Sequence, residues 1–137
     1  MILVLDTQVW LDWLVFDDRA VNNIRVAVQS RRAEIVMDAA CEAELQRVLA
    51  YDLGRHSISP EAQLAALAVA RSLSRRVEVV AVDDLPQCKD PDDQKFIELA
   101  FAAKANVLVT KDRELLKMKR RVPFGIAPPA EFRLPAL

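Results

Sequence analysis

The stretch Ile2-Leu3-Val4-Leu5-Asp6 decides the fold. A short, continuous apolar run reads as a strand buried on both faces, the kind found in parallel sheets. A second such run, Val107-Leu108-Val109, is followed by Thr110-Lys111-Asp112. Asp6 and Asp112 are therefore expected near strand carboxyl ends, where open α/β sheets place their ligand sites. A third acidic group, Asp90, Asp92 and Asp93, opens the helical stretch before the second run, and Glu44 lies in an earlier helix.

Working outward, Gln8 to Phe16 predicts a helix whose apolar residues cover more than one face and must be buried on several sides. Trp10, Trp13 and Leu14 are expected in the core, with a subunit interface and then nucleic-acid stacking as the alternatives. Val21, Ile24 and Val28 predict a second helix over residues 17–32, and Glu34 to Met37 a short strand. Asp38 then caps a third helix, whose apolar stripe is Cys41, Leu45, Val48 and Leu49. Glu42 and Glu44 flank that stripe on opposite sides, and the pattern does not choose between them.

Ser59-Pro60-Glu61 combines an N-cap serine, a proline in the first turn and an acid at the positive end of the dipole, starting a fourth helix that runs to about Leu73. Val77 to Val82 reads as the third strand, and Asp90-Pro91 begins a fifth helix. That helix turns Phe96, Ile97, Ala100 and Ala103 inward, and Gln94, Lys95 and Glu98 outward. Asp93 lies three, four and seven positions before the first three inward residues, so it too faces the core side. A fourth strand at Val107 to Thr110, a short helix after Asp112 and a fifth strand at Phe124 to Ala127 complete the pattern. Strands alternating with helices predict a three-layer α/β/α domain with a central, mostly parallel five-stranded sheet, spanning residues 1–137 as one unit.

With 137 residues and 53% hydrophobic content, the chain is large enough for one core. A net charge of −1 argues against a protein that coats nucleic acid by charge alone. The local clusters Arg31-Arg32, Arg75-Arg76 and Lys117-Lys119-Arg120-Arg121 could still steer a polyanion, although solvated helix ends explain each of them. Cys41 and Cys88 have no CxxC spacing, so neither a zinc site nor a disulfide framework is expected, and a reducing, cytoplasmic setting is the default. There is no signal-peptide pattern, and no segment approaches the ~20 apolar residues of a membrane span. Only Gly54 and Gly125 are glycines, which excludes a glycine-rich phosphate loop. His56, the single histidine, is expected in an exposed loop, and no serine sits in a GxSxG turn.

Acids in the first turn of a helix ordinarily serve as caps, which accounts for Asp90 and Asp92. Asp6 and Asp112 could likewise cap the helices that follow them. An inward carboxylate at Asp93 has no such explanation, because unpaired it carries a desolvation penalty or is driven neutral. Two strand-end acids and one inward acid converge on one crevice, where like charges repel unless a cation intervenes. Mg²⁺ or Mn²⁺, which take oxygen ligands and retain waters, suit such a site, and phosphodiester hydrolysis is the chemistry they serve.

The chain resembles the PIN-domain ribonucleases, in particular small stand-alone, VapC-like toxin components of toxin–antitoxin pairs. The resemblance rests on Val4-Leu5-Asp6-Thr7-Gln8-Val9, Glu44-Leu45-Gln46-Arg47-Val48-Leu49, residues 90–100 from Asp90-Pro91-Asp92-Asp93 onward, Leu108 to Leu116, and the closing Ile126 to Phe132. It implies a five-stranded parallel sheet, a Mg²⁺- or Mn²⁺-dependent endoribonuclease and an acidic quartet of Asp6, Glu44, Asp93 and Asp112 as catalytic and metal-binding residues. The choice of Glu44 over Glu42 comes from this resemblance. It also implies an RNA substrate and a cognate antitoxin, a place for Asp90 near the metal or as the helix cap, and a hydrogen bond from Thr110 near the metal, while the lack of a long apolar segment implies no membrane partner. The Trp10 to Phe16 region is the expected homodimer or partner surface.

The chain departs from the family pattern at three positions. Gln8 stands where asparagine is common, Gln94 where this branch often has another aspartate, and Lys111 where a small residue is frequent. A lysine beside Asp112 could contact the scissile phosphate or occupy solvent. The competing reading is a catalytically weak PIN-fold module that binds RNA or protein. A haloacid-dehalogenase-like phosphatase is disfavoured because Gln8 takes the place of its second acid, and a receiver domain because paired acids after the first strand are lacking.

Overall fold

The computed structural model describes residues 1–51 and 57–135. The expectations for His56 and Gly54 lie outside the described residues. Five strands, β1 (Ile2–Leu5), β2 (Glu34–Met37), β3 (Ser74–Arg76), β4 (Val107–Val109) and β5 (Gly125–Ala127), form one sheet in the order β3-β2-β1-β4-β5. Every pairing is parallel. In β1, Leu3, Val4 and Leu5 are 0%, 0% and 2% exposed. Successive strand side chains point to opposite faces, so both faces of the sheet centre are covered, as the unalternating apolar run required. The helices α1 (Thr7–Leu14), α2 (Asn22–Gln29), α3 (Ala39–Leu49), α4 (Pro60–Leu73), α5 (Gln94–Ala103) and α6 (Arg113–Leu116) complete the expected three-layer α/β/α fold.

From β1 the chain builds outward through β2 to β3, then crosses back to add β4 and β5 on the other side of β1. The order of strand addition therefore reverses between β1 and β4, which run parallel and pair Leu5 with Val109. Helices leaving neighbouring strands on either side of such a switch diverge and open a crevice at the carboxyl edge. Asp6 and Asp112 stand at its two lips.

Three predicted elements are corrected. The third strand is Ser74–Arg76 and not Val77–Val82. Its register pairs Ile35, Val36 and Met37 with Ser74, Arg75 and Arg76, and after Val77 donates to the Met37 carbonyl at 2.9 Å, β2 has ended and offers no further partner. Val80 and Val82 consequently lie exposed beyond the sheet edge. The predicted helix over residues 17–32 is broken: Asp17 adopts a left-handed φ of 50°, Asp18 caps a short 3-10 turn at Arg19–Val21, and α2 starts only at Asn22. The fifth helix likewise begins with a 3-10 turn at Pro91–Asp93 before α5.

Cys41 and Cys88 are buried free thiols, and burial pushes both thiol pKa values up, so neither is a ready nucleophile. Among the described residues, no helix is long and apolar enough to cross a membrane.

Candidate active site

Asp6 continues the sheet and caps the next helix. Its N–H donates to the Val109 carbonyl at 3.1 Å, and its Oδ1 accepts the Val9 N–H at 2.9 Å, which is the N-cap bond of α1. Its Oδ2 accepts from the Thr110 hydroxyl, and the Thr110 oxygen accepts the Asp112 N–H at 2.9 Å. Thr110, fully buried, thus ties the two strand ends together. Asp112 caps α6, with Oδ1 accepting from Glu114 at 2.8 Å and Leu115 at 3.4 Å. Both acids do serve as helix caps, but each carboxylate spends only one oxygen on that task.

Asp93 differs from its acidic neighbours. Asp90 caps the 3-10 turn by accepting the Asp92 N–H at 3.0 Å, so capping is complete without Asp93. Asp93 makes no cap bond to α5, and its Oδ2 is buried with no hydrogen-bond donor facing it. The wheel projection of this residue toward the core side therefore agrees with its placement.

The electrostatics follow from this geometry. Burial raises the Asp6 pKa from 3.8 to about 6, against the lowering effect of the bonds from Thr110 and Val9, and Asp112 and Asp12 push the same way as burial. Burial likewise raises Asp93 to about 7, followed in effect by the charges of Asp112, Asp90 and Asp6 and by the nearness of the Asp112 carboxyl within hydrogen-bonding reach. Asp6 and Asp93, each raised by burial and by the charge of Asp112, stand in a site short of positive charge.

Asp6, Thr7, Gln8, Glu44 and Asp93, with apolar Leu11, Val48 and Phe96 beneath them, line an open cleft of about 250 Å³. Glu44 faces this cleft from α3, while Glu42 is turned to Arg71 at 3.0 Å and Arg76 at 2.9 Å, joining α3 to α4 and β3. Glu44 is itself engaged: Lys95 Nζ stands 2.9 Å from its Oε1, and the Thr7 hydroxyl donates to its Oε2. Among the described residues, no three histidine, cysteine or acidic side chains form a ready cation cage. The donor set still suits a hard cation. Its donors are oxygens only, one buried Asp93 oxygen has no partner, and the charges of Asp112 and Asp6 act on the same carboxyl. Glu44 would have to leave Lys95 to join them.

Four residues are placed differently from the sequence expectation, or were missed by it. Gln94, expected to face outward, is buried: its Oε1 accepts the Cys88 N–H at 2.6 Å and its Nε2 donates to the Pro86 carbonyl at 3.0 Å, latching the preceding loop onto α5. Lys95, also expected outward, reaches Glu44 and the Asp92 carbonyl. Lys111 pairs at 2.6 Å with Asp12, a buried acid that the sequence reading did not single out. The only signal for Asp12 was its i,i+4 spacing from Gln8, which does bond it at 3.1 Å. Trp10 and Leu11 are buried in the core, so of the expected partner surface only Trp13 to Phe16 remain partly accessible.

Comparison with known proteins agrees with this architecture. Residues 2–114 match the PIN domain family. The solved structure of VapBC2 from Rickettsia felis, bound to a DNA fragment from its promoter, is similar with a TM-score of 0.60 at 19% identity, covering 93% of this chain and 97% of that one. PAE2754 from Pyrobaculum aerophilum is similar with a TM-score of 0.56 at 17% identity, covering 91% and 82%. No curated protein sequence matches. With a family match across most of its length and the sheet order just described, the chain belongs to the PIN domain family.

Proposed function

We propose that this protein is a divalent-metal-dependent endoribonuclease that hydrolyses RNA phosphodiester bonds as the toxin component of a toxin–antitoxin pair in the cytoplasm. The observation that carries the reading is the buried, donorless oxygen of Asp93, in a carboxyl that feels the charges of Asp112 and Asp6 at the switch point of the sheet. Asp6, Asp93 and Asp112 would hold Mg²⁺ or Mn²⁺, with Glu44 completing the site once it turns from Lys95. Such an ion supplies charge neutralisation at the phosphate and a water of lowered pKa.

The protein's own residues do the rest. Thr110 fixes the Asp6 carboxylate and, through the Asp112 N–H, the start of α6, so the two lips keep their spacing. Burial of Asp6 and Asp93 strengthens every charge interaction in the crevice. The cleft is open and recessed, which favours an unpaired backbone such as single-stranded or looped RNA over a rigid duplex. The likeness to VapBC2 supports a small antitoxin partner, and the partly accessible end of α1, Trp13 to Phe16, is the proposed homodimer surface.

One observation favours a second reading, a PIN-fold module that binds without turnover: Glu44 is neutralised by Lys95 and accepts a hydrogen bond from Thr7. A fluorescein-labelled single-stranded RNA separates the two. Cleavage in MnCl₂ that stops in excess EDTA and is lost in Asp93→Asn supports the nuclease; binding of that RNA without cleavage by the wild type supports the module.

A further inference from the structure

Asp12 is a buried carboxylate near the end of α1, its side chain 3% exposed, and it has two side-chain partners, Lys111 at 2.6 Å and Gln8 at 3.1 Å. Both are positions at which the chain departs from the pattern it otherwise resembles. A buried carboxylate costs several kcal/mol unless paired, so Asp12 holds the lysine firmly. The lysine is not enclosed by that pairing: its side chain is 41% exposed. Its backbone is fixed as well, because Thr110 on one side bonds Asp6 and Asp112 on the other caps α6. Gln8, the other partner, lines the cleft beside Asp6. Through Asp12 and Gln8 a tethered ammonium is therefore linked to the rim of a cleft whose lining carboxylates, Asp6, Glu44 and Asp93, would repel a polyanion.

We propose that Lys111 contacts an RNA backbone phosphate at the rim of this crevice, and that Asp12 and Gln8 are the residues that position it. The inference rests on the nuclease reading for the identity of the ligand. An ammonium ion is a point charge with three donors, so engaging Asp12 with one leaves the others for a phosphate oxygen. Its contribution is electrostatic and would appear as salt dependence, with a slope near 0.7 per phosphate contact on single strands, or about fivefold over a tenfold range of salt.

The test measures kcat and KM for a fluorescein-labelled single-stranded RNA in MnCl₂ from about 50 to about 500 mM KCl, one decade of salt. For Lys111→Met the expected result is a raised KM at low salt, little change in kcat, and a salt slope of kcat/KM shallower by about 0.7 than the wild type. Lys111→Arg should restore the slope. Because Lys111→Met leaves Asp12 buried and unpaired, the double variant Asp12→Asn/Lys111→Met is measured beside it and should show the same shallower slope with its fold intact. Unchanged KM and slope in the double variant would overturn the proposal and leave Lys111 as the counterion of Asp12, while the nuclease reading stands. If the wild type does not cleave, the same salt series is read from equilibrium binding of that RNA. A Lys111-dependent slope then upholds this contact although turnover is absent, and equal slopes or no binding overturn it.

Discussion

Replacing Asp6 with asparagine should make the metal-free protein more stable at pH 8. The folded protein holds the Asp6 proton up to about pH 6, whereas the unfolded chain releases it near 3.8. Stability from the protonated form is therefore fully present below 3.8 and is lost as the pH rises through about 6. The displacement of about two pH units corresponds to roughly 3 kcal/mol at about 1.4 kcal/mol per unit. Asparagine keeps an oxygen for the Val9 N–H, but its amide must face the Thr110 oxygen, leaving that hydroxyl without its acceptor at a cost of about 1 kcal/mol. The net gain is about 2 kcal/mol at pH 8, or about 8 °C in Tm at roughly 4 °C per kcal/mol for a domain of this size. Near pH 4 the gain should vanish or reverse. Thermal unfolding of both proteins in EDTA at pH 4 and pH 8 checks this; an Asp6→Asn variant no more stable than wild type at pH 8 would refute the claim that Asp6 is ionised at a cost.

Three other outcomes follow from particular residues. Because Asp6 and Asp93 titrate near 6 and 7 and must be deprotonated to hold a cation, Mn²⁺ affinity should climb from pH 5.5 to 8 and level off above, with proton release visible by calorimetry in two buffers of different ionisation heat at about pH 6. Gln94→Leu strands the Cys88 N–H and the Pro86 carbonyl and should lower stability by about 2–4 kcal/mol, read as a lower urea midpoint at unchanged slope. Lys104 ends α5 in the left-handed region at φ 52°, so Lys104→Gly should raise the urea midpoint by an amount worth up to about 1 kcal/mol.

The strands at Ile2 and Val107 were readable because both faces of the sheet centre are covered, so every residue of those runs is apolar or nearly so. The edge strand was misread for the opposite reason. Ser74–Arg76 carries outward arginines paired with Glu34 and Glu42, as suits an exposed edge, and what admits it to the sheet is where β2 ends. No local property of Val77 to Val82 reports that. The ends of helices were also obscured, since the chain places Asp17 and Lys104, and not glycine, in left-handed conformations.

At the crevice, the inward aim of Asp93 followed from helical periodicity, and Asp6 and Asp112 from their strand ends. What local pattern could not supply was contact between distant elements. Lys95 meets Glu44 across 51 residues, and Lys111 meets Asp12 from the far side of the sheet switch. Gln94 looked solvent-facing because the loop it latches, Pro86 to Cys88, has no periodicity that would place it against α5.

The central claim is that Asp6, Asp93 and Asp112 share a divalent cation. Titration of Mn²⁺ into the protein at pH 8, followed by the loss of the free-ion electron paramagnetic resonance signal, measures it without reference to any substrate. The account predicts saturable binding by the wild type that weakens at least about tenfold in Asp93→Asn, the size of a lost carboxylate ligand worth about 1.4 kcal/mol or more. Equal Mn²⁺ affinity in the two proteins, or none in the wild type, would contradict it.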